Sequence, residues 1–199
     1  MNIREAFKGP AMRLLGYREE RVSAATWDRE YRDGDWKFLE QISSLAGQLS
    51  VFGYLQYLAP ATILDVGCGA GLLAAKLKPL SYVSFLGLDI SAEAIAQAAS
   101  VADERTGFAV ADANTFHTDR AFDAIVFNQC LNYFPDPAAL AQHYASFLAP
   151  NGHIIVSMAD NARARIVWQL IDRPLATIDT MTFIQADGRG TTKVMRPRK

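Results

Sequence analysis

The stretch Ile63-Leu64-Asp65-Val66-Gly67-Cys68-Gly69-Ala70-Gly71-Leu72-Leu73 decides the fold. An apolar strand runs into three glycines at alternate positions, and a helical stretch follows from Leu72. Such a turn lets backbone come close to a ligand at the carboxyl end of the strand. The dinucleotide fingerprint G-x-G-x-x-G would need glycine at position 72, where Leu72 stands. Asp65, just ahead of the loop, would repel a pyrophosphate but suits a ligand bearing a positively charged amine. The loop therefore asks for a nucleoside ligand that is not a diphosphate.

Outward from this loop, short apolar runs alternate with helical stretches, the pattern of a parallel sheet covered by helices. Strands are expected at Thr62 to Val66, Tyr82 to Asp89, Gly107 to Ala111, Phe122 to Phe127 and Gly152 to Met158. Helices are expected at Leu72 to Lys78, Ala92 to Ser100 and Pro137 to Leu148. Ser91 and Asp136 serve as N-caps for the second and third, and Pro137 is preset for a first turn. After Met158 comes a helix near Ala162 to Ile171, then a break at Pro174. Asp187-Gly188 between Met181 to Ile184 and Thr191 to Met195 signals an antiparallel hairpin.

In the first 60 residues Trp27, Tyr31, Trp36, Phe38, Leu39, Ile42, Leu45, Leu49, Phe52, Leu55 and Leu58 recur at helical spacing, which predicts helices packed over the sheet. The expected fold is α/β: a doubly wound, Rossmann-like, mostly parallel seven-stranded sheet with a C-terminal antiparallel hairpin and N-terminal cap helices. We expect one domain over 1–199, with a helical cap at 1–60, a cofactor-binding core at 61–158 and a C-terminal helix and hairpin at 159–199.

The chain's 199 residues suffice for a single layered core. Its 20 basic and 21 acidic groups nearly cancel. The sum hides a middle, 61–160, with ten acidic and four basic residues, and an end, 161–199, with eight basic and three acidic. Global attraction to DNA or a membrane is thus not expected, although a local basic site remains open. No apolar run approaches a bilayer span and the charged start is unlike a signal peptide, so a cytoplasmic location is expected. Cys68 and Cys130 lack the spacing and neighbouring histidines of a zinc site, and a disulfide is not expected.

Asp65-Val66-Gly67-Cys68-Gly69-Ala70-Gly71 resembles motif I of the class I S-adenosylmethionine-dependent methyltransferases, and further motifs agree in order. The resemblance implies that Asp89, in Leu86-Gly87-Leu88-Asp89-Ile90-Ser91, accepts both ribose hydroxyls of S-adenosyl-L-methionine, two donors meeting two carboxylate oxygens. It implies that Asp112, with Ala113, meets the adenine amino group. Phe122-Asp123-Ala124-Ile125-Val126-Phe127-Asn128 is similar to the family's fourth strand, and Leu148 to His153 to the approach to its fifth. The cofactor-binding candidates are Asp65, Gly67, Cys68, Gly69, Gly71, Asp89, Ile90, Asp112, Ala113 and Asn128.

The segment Asn128 to Pro135 is where an acceptor would sit. It lacks the Asn/Asp-Pro-Pro-Tyr-like motif of DNA-base and glutamine methylases, so no DNA partner is expected. Gln129, Asn132 and Tyr133 are poor ligands for a hard cation, so no metal is expected. They face an acceptor or simply satisfy loop backbone; both readings stand. Trp27, Tyr31 and Trp36 form either a lid over the substrate or the interface of the N-terminal helices with the sheet. His143 and His153 read as structural and His117 as exposed, and no catalytic base is assigned. Arg189, Lys193, Arg196, Arg198 and Lys199 bind an anionic acceptor or make a solvated end.

The expected activity is methyl transfer to oxygen or nitrogen of a small molecule or saccharide-like metabolite, by direct in-line displacement. The alternatives are a methyltransferase-like binding or interaction protein without catalysis, an RNA methyltransferase, or a nicotinamide-dependent oxidoreductase. The oligomeric state is not legible.

Overall fold

The computed structural model describes residues 22–186 and 188–198. Seven strands form one sheet in the order β3-β2-β1-β4-β5-β7-β6. They are β1 (Thr62–Val66), β2 (Ser84–Asp89), β3 (Thr106–Val110), β4 (Phe122–Asn128), β5 (Leu148–Ala159), β6 (Leu175–Gln185) and β7 (Gly188–Pro197). β1 to β5 pair in parallel, whereas β7 runs antiparallel between β5 and β6. This is the doubly wound sheet with a terminal hairpin that the sequence predicts.

The helices are α1 (Ala24–Asp33), α2 (Leu45–Leu58), α3 (Leu72–Leu77), α4 (Ala92–Ala98), α5 (Pro137–Ala145) and α6 (Ala162–Ile171). Continuous apolar strands are buried on both faces, as a parallel sheet requires. Leu64, Ile125 and Ile154 point into a core with Tyr144, Val167 and Ile171. Their neighbours Ile63, Val126 and Ile155 point into a second core with Val51, Leu55 and Leu77. The caps match expectation: Ser91 Oγ accepts from Ala94 N at 3.1 Å and Asp136 Oδ1 from Ala139 N at 2.9 Å.

The elements depart furthest from expectation in three places, the other boundaries shifting by three residues at most. α5 stops at Ala145 rather than Leu148, and β5 starts at Leu148 rather than Gly152. The pairing slips between Phe122 and Ala124, and Asn151 at φ 68° absorbs the irregularity. β6 starts at once after Pro174, six residues before Met181, because it finds partners on β7 along its length except at Ile178, where the register shifts. At the N-terminal side, Trp36 to Ser44 carry apolar residues at helical spacing but make only short 3₁₀ turns at Lys37–Glu40 and Ile42–Ser44. Ile42 is accordingly 87% exposed rather than packed. Asp187 of the expected turn dipeptide lies outside the described residues, as do the first 21 residues with their charged start.

Candidate functional site

A cavity of about 600 Å³ opens where β1, β2 and β4 end, at the point where the strand order reverses. Its floor is the glycine loop. Gly69 (φ 54°) and Gly67 (φ 73°) adopt the left-handed region, which an L side chain resists. Space is equally restrictive: a Cβ on Gly67 would lie 2.8 Å from Cys130 Cβ, and one on Gly69 would strike the Tyr31 hydroxyl. The loop is pinned from β2, where Leu88 O accepts from Gly67 N at 2.8 Å and from Cys68 N at 2.9 Å.

Three carboxylates flank this floor. Asp89 Oδ2 accepts from Gly69 N and its Oδ1 from Ser91 N, both at 2.9 Å. Each oxygen keeps a further lone pair, so two more donors can be met side by side. Burial raises the carboxyl above its ordinary range, against the opposing pull of the backbone N–H groups. Asp65 is 1% exposed and its Oδ1 has no hydrogen-bond partner. Burial, helped by the charge of Asp89, pushes its carboxyl up to about 7. A buried carboxylate without a counter-charge is costly, and a ligand ammonium would relieve it. Asp112 stands on the wall with Oδ1 accepting from Asn114 N at 3.0 Å and Nδ2 at 2.8 Å.

Ile90, Ala113 and Asn128 also line the cavity. Gly71 does not: a Cβ there would lie 3.1 Å from Phe108 and 3.2 Å from Ala98, so it serves packing behind the loop. Cys68 and Cys130 are held as thiols by burial, and Cys130 Sγ donates to Val66 O at 2.9 Å. Neither is poised as a nucleophile.

The opposite wall is aromatic. Trp27 meets Trp36 at 5.6 Å and Tyr133 edge-on at 5.2 Å, while Trp36 stacks on Tyr31 at 6.1 Å and meets Phe38 at 5.9 Å. Trp27, Glu30 and Tyr31 face the cavity as one stripe of α1 at i, i+3 and i+4, and Gly34, the cap that ends the helix, lines it too. The structure thus puts Trp27, Tyr31 and Trp36 on the cavity, not merely against the sheet.

Of the acceptor candidates, Asn132 and Tyr133 line the cavity, and Arg163 tethers their loop through Asn132 O at 3.4 Å and Phe134 O at 3.0 Å. Gln129 also touches it, but both ends of its amide are committed. Nε2 donates to Ser157 Oγ at 3.0 Å and Oε1 accepts from Ala159 N at 2.8 Å. Gln129 adopts φ 58°, so this residue shapes the loop from a strained backbone position.

No histidine lines the cavity. His143 Nε2 lies 2.8 Å from Phe116 O, and His153 Nε2 accepts from Arg196 Nε at 3.1 Å. The basic end is internally engaged: Lys193 bonds both oxygens of Asp172 at 3.0 Å, Arg198 donates to Asp172 O, and Arg196 to Asn151 O. Arg189 reaches the cavity, 3.8 Å from Asp160. Lys199 lies outside the described residues. The sequence reading missed Arg163, Glu30 and Asp28. Only the helical spacing that placed Trp27 and Tyr31 together could have pointed to Glu30.

A family model described as "Methyltransferase domain" matches residues 38–187, from the first 3₁₀ turn to the final hairpin. The chain belongs to this methyltransferase family. It is 30% identical over 192 residues to the ubiquinone biosynthesis O-methyltransferase of Pectobacterium carotovorum, a match covering 89% of this chain and 73% of that protein. It is 38% identical over 107 residues to the trans-aconitate 2-methyltransferase of Methylobacterium radiotolerans, covering 52% of this chain but only 40% of the relative. In fold it resembles the N-methyltransferase NodS of Bradyrhizobium japonicum, solved with S-adenosyl-L-homocysteine. That match has a TM-score of 0.77 and 21% identity, over 88% of this chain and 98% of that one. Among the described residues no helix is long and apolar enough to cross a membrane.

Proposed function

We propose that this protein transfers a methyl group from S-adenosyl-L-methionine to oxygen or nitrogen of a small molecule or saccharide-like metabolite, working as one domain. The observation that carries the reading is the buried Asp65, whose Oδ1 has no partner, beside the two-pronged Asp89 at the glycine loop. This pairing suits a ligand with an ammonium at one end and a ribose diol at the other. When bound, the cofactor supplies a methyl group already activated on a positively charged sulfur.

The residues then have two tasks. Gly67 and Gly69 bring backbone against the ligand, Asp65 neutralises its amine, Asp89 orients its ribose and Asp112, beside Ala113, meets its base. Trp27, Tyr31, Trp36 and Tyr133 exclude water and hold the acceptor in line, and alignment supplies most of the rate for a displacement of this kind. The amides and phenol of Asn128 to Tyr133 support a reaction without a metal.

The cavity's extension past Tyr133 to Phe38 leaves room for an acceptor, which favours an enzyme over a cofactor-binding protein without catalysis. Lys193, Arg196 and Arg198 are already engaged by Asp172, His153 and Asn151, which favours a small acceptor over RNA. The test is incubation with methyl-labelled cofactor and fractionated metabolites, saccharide intermediates and RNA. Label on a small molecule supports the proposal, and label only on RNA refutes it.

A further inference from the structure

We propose that Asp28 is a positioning residue that latches α1 onto the Asp89 turn and thereby sets how tightly the cavity holds its nucleoside ligand; the inference rests on the cofactor reading above.

Helix α1 meets the rest of the fold through two aromatic rings, Trp27 against Tyr133 and Tyr31 over the glycine loop, and through polar groups. Its sequence, AATWDREYRD, is strongly polar, and Glu30 is its one buried residue. It nevertheless carries Trp27 and Tyr31, and its docking decides where both stand. The polar part of that docking falls on Ser91 and α4. Asp28 Oδ1 accepts from Ser91 Oγ at 2.7 Å and from Glu93 N at 3.1 Å. Two further polar ties to α4 are weaker: Arg32 to Glu93 at 3.7 Å with Arg32 64% exposed, and Gln97 Nε2 to Tyr31 O at 3.2 Å on the exposed side. Exposed pairs of this kind contribute little, whereas a charged acceptor on a buried hydroxyl contributes about twice a neutral bond.

Ser91 is the hinge pin of this arrangement. It is fully buried, its hydroxyl accepts from Ala94 N, and its own N–H donates to Asp89 Oδ1 at 2.9 Å. With its one proton given to Asp28, the serine joins three elements: the start of α4, the carboxylate proposed for the ribose, and the helix that carries the aromatic wall. Glu93 N belongs to the first turn of α4, where N–H groups lack partners within the helix, so Asp28 also completes that cap. From the same helix the Tyr31 hydroxyl overlies Gly69. Loss of Asp28 should therefore loosen the wall above the glycine loop while leaving the sheet and both cores intact.

The test compares full-length wild type with Asp28→Ala, Asp28→Asn and, as a control, Arg32→Ala. It uses S-adenosylhomocysteine as probe, stopped-flow release through tryptophan fluorescence, and amide exchange over residues 24–33. Asparagine retains an oxygen that can accept from both Ser91 and Glu93. The expected result is release accelerated roughly tenfold, with rapid exchange of α1, in Asp28→Ala. Both return to within about threefold of wild type in Asp28→Asn, and Arg32→Ala matches wild type. The melting midpoint should barely move, because neither core includes a residue of α1, whereas a merely structural role would lower the midpoint and leave the release rate alone. Wild-type release and exchange in Asp28→Ala would overturn the inference, as would Asp28→Asn behaving like alanine. If wild type does not bind the probe, the cofactor reading fails instead, and exchange without ligand still decides whether Asp28 holds α1.

Discussion

The N–H of Gly69 donates to Asp89 Oδ2 over 2.9 Å, so the glycine loop after β1 and the acid that closes β2 are fixed to each other before any ligand arrives. Asp89→Ala removes this clamp together with the proposed ribose contact. Affinity for S-adenosylhomocysteine should fall by roughly 10- to 100-fold, the loss of charge-assisted hydrogen bonds worth about 1.5–3 kcal/mol. Titration calorimetry measures it, and unchanged affinity would remove Asp89 from the site.

Asp65 predicts a pH dependence. Its carboxyl titrates near 7 in the folded protein because burial opposes its charge, far above the range of an unfolded aspartate. Between about pH 4 and pH 7 the unfolded chain has released this proton and the folded one retains it, so the ligand-free protein loses stability as pH rises through that window. A ligand ammonium favours the ionised form, so cofactor affinity should rise with pH through about 7 and then level off. Asp65→Asn should flatten both curves, weaken binding, and stabilise the ligand-free protein at pH 8 by on the order of 1–3 kcal/mol. Denaturant melts and calorimetry across pH 5–9, in steps of about one unit, check the signs.

Gly69→Ala should destabilise the fold and impair cofactor binding for two separable reasons. One is the left-handed backbone at φ 54°, which costs a side chain about 1–2 kcal/mol; the other is collision with the Tyr31 hydroxyl. Tyr31→Phe removes only the second obstacle, since the ring carbon would sit at an ordinary 3.4 Å. A double-mutant cycle should therefore show partial rescue. Strict additivity would mean that Tyr31 does not lie over the loop.

Gln129→Ala breaks the ties to Ser157 and Ala159 while leaving the backbone at φ 58°. We expect a stability loss of about 1–2 kcal/mol and a fall in methyl transfer larger than any fall in S-adenosylhomocysteine affinity. The labelled-methyl assay and calorimetry on the same variant separate the two. Equal losses in both would place Gln129 among the cofactor contacts.

Much of this was legible in order along the chain. The strand boundaries of β1 and β4, the caps at Ser91 and Asp136, and the acids that end β1 and β2 are local signals, written in apolar runs, glycine spacing and capping chemistry. The start of β6 is not legible, because Ala176 to Thr180 mix apolar and polar residues without a local signal and owe their strand conformation to β7, with Ile178 left at the register shift. The basic end was ambiguous for the same reason. A count of charges cannot show that Lys193 meets Asp172 across 21 residues of sequence.

By itself the sequence determined a doubly wound sheet and a glycine loop flanked by carboxylates, because these depend on periodicity and on residues within a few positions of one another. Only the tertiary structure decided that Trp27 and Tyr31 wall the cavity, that Gln129 is spent on β5, that Gly71 packs behind the loop, and that Asp28 reaches Ser91. Each of those joins elements far apart in the chain, and what a side chain can do there depends on which partners the fold brings within hydrogen-bonding distance.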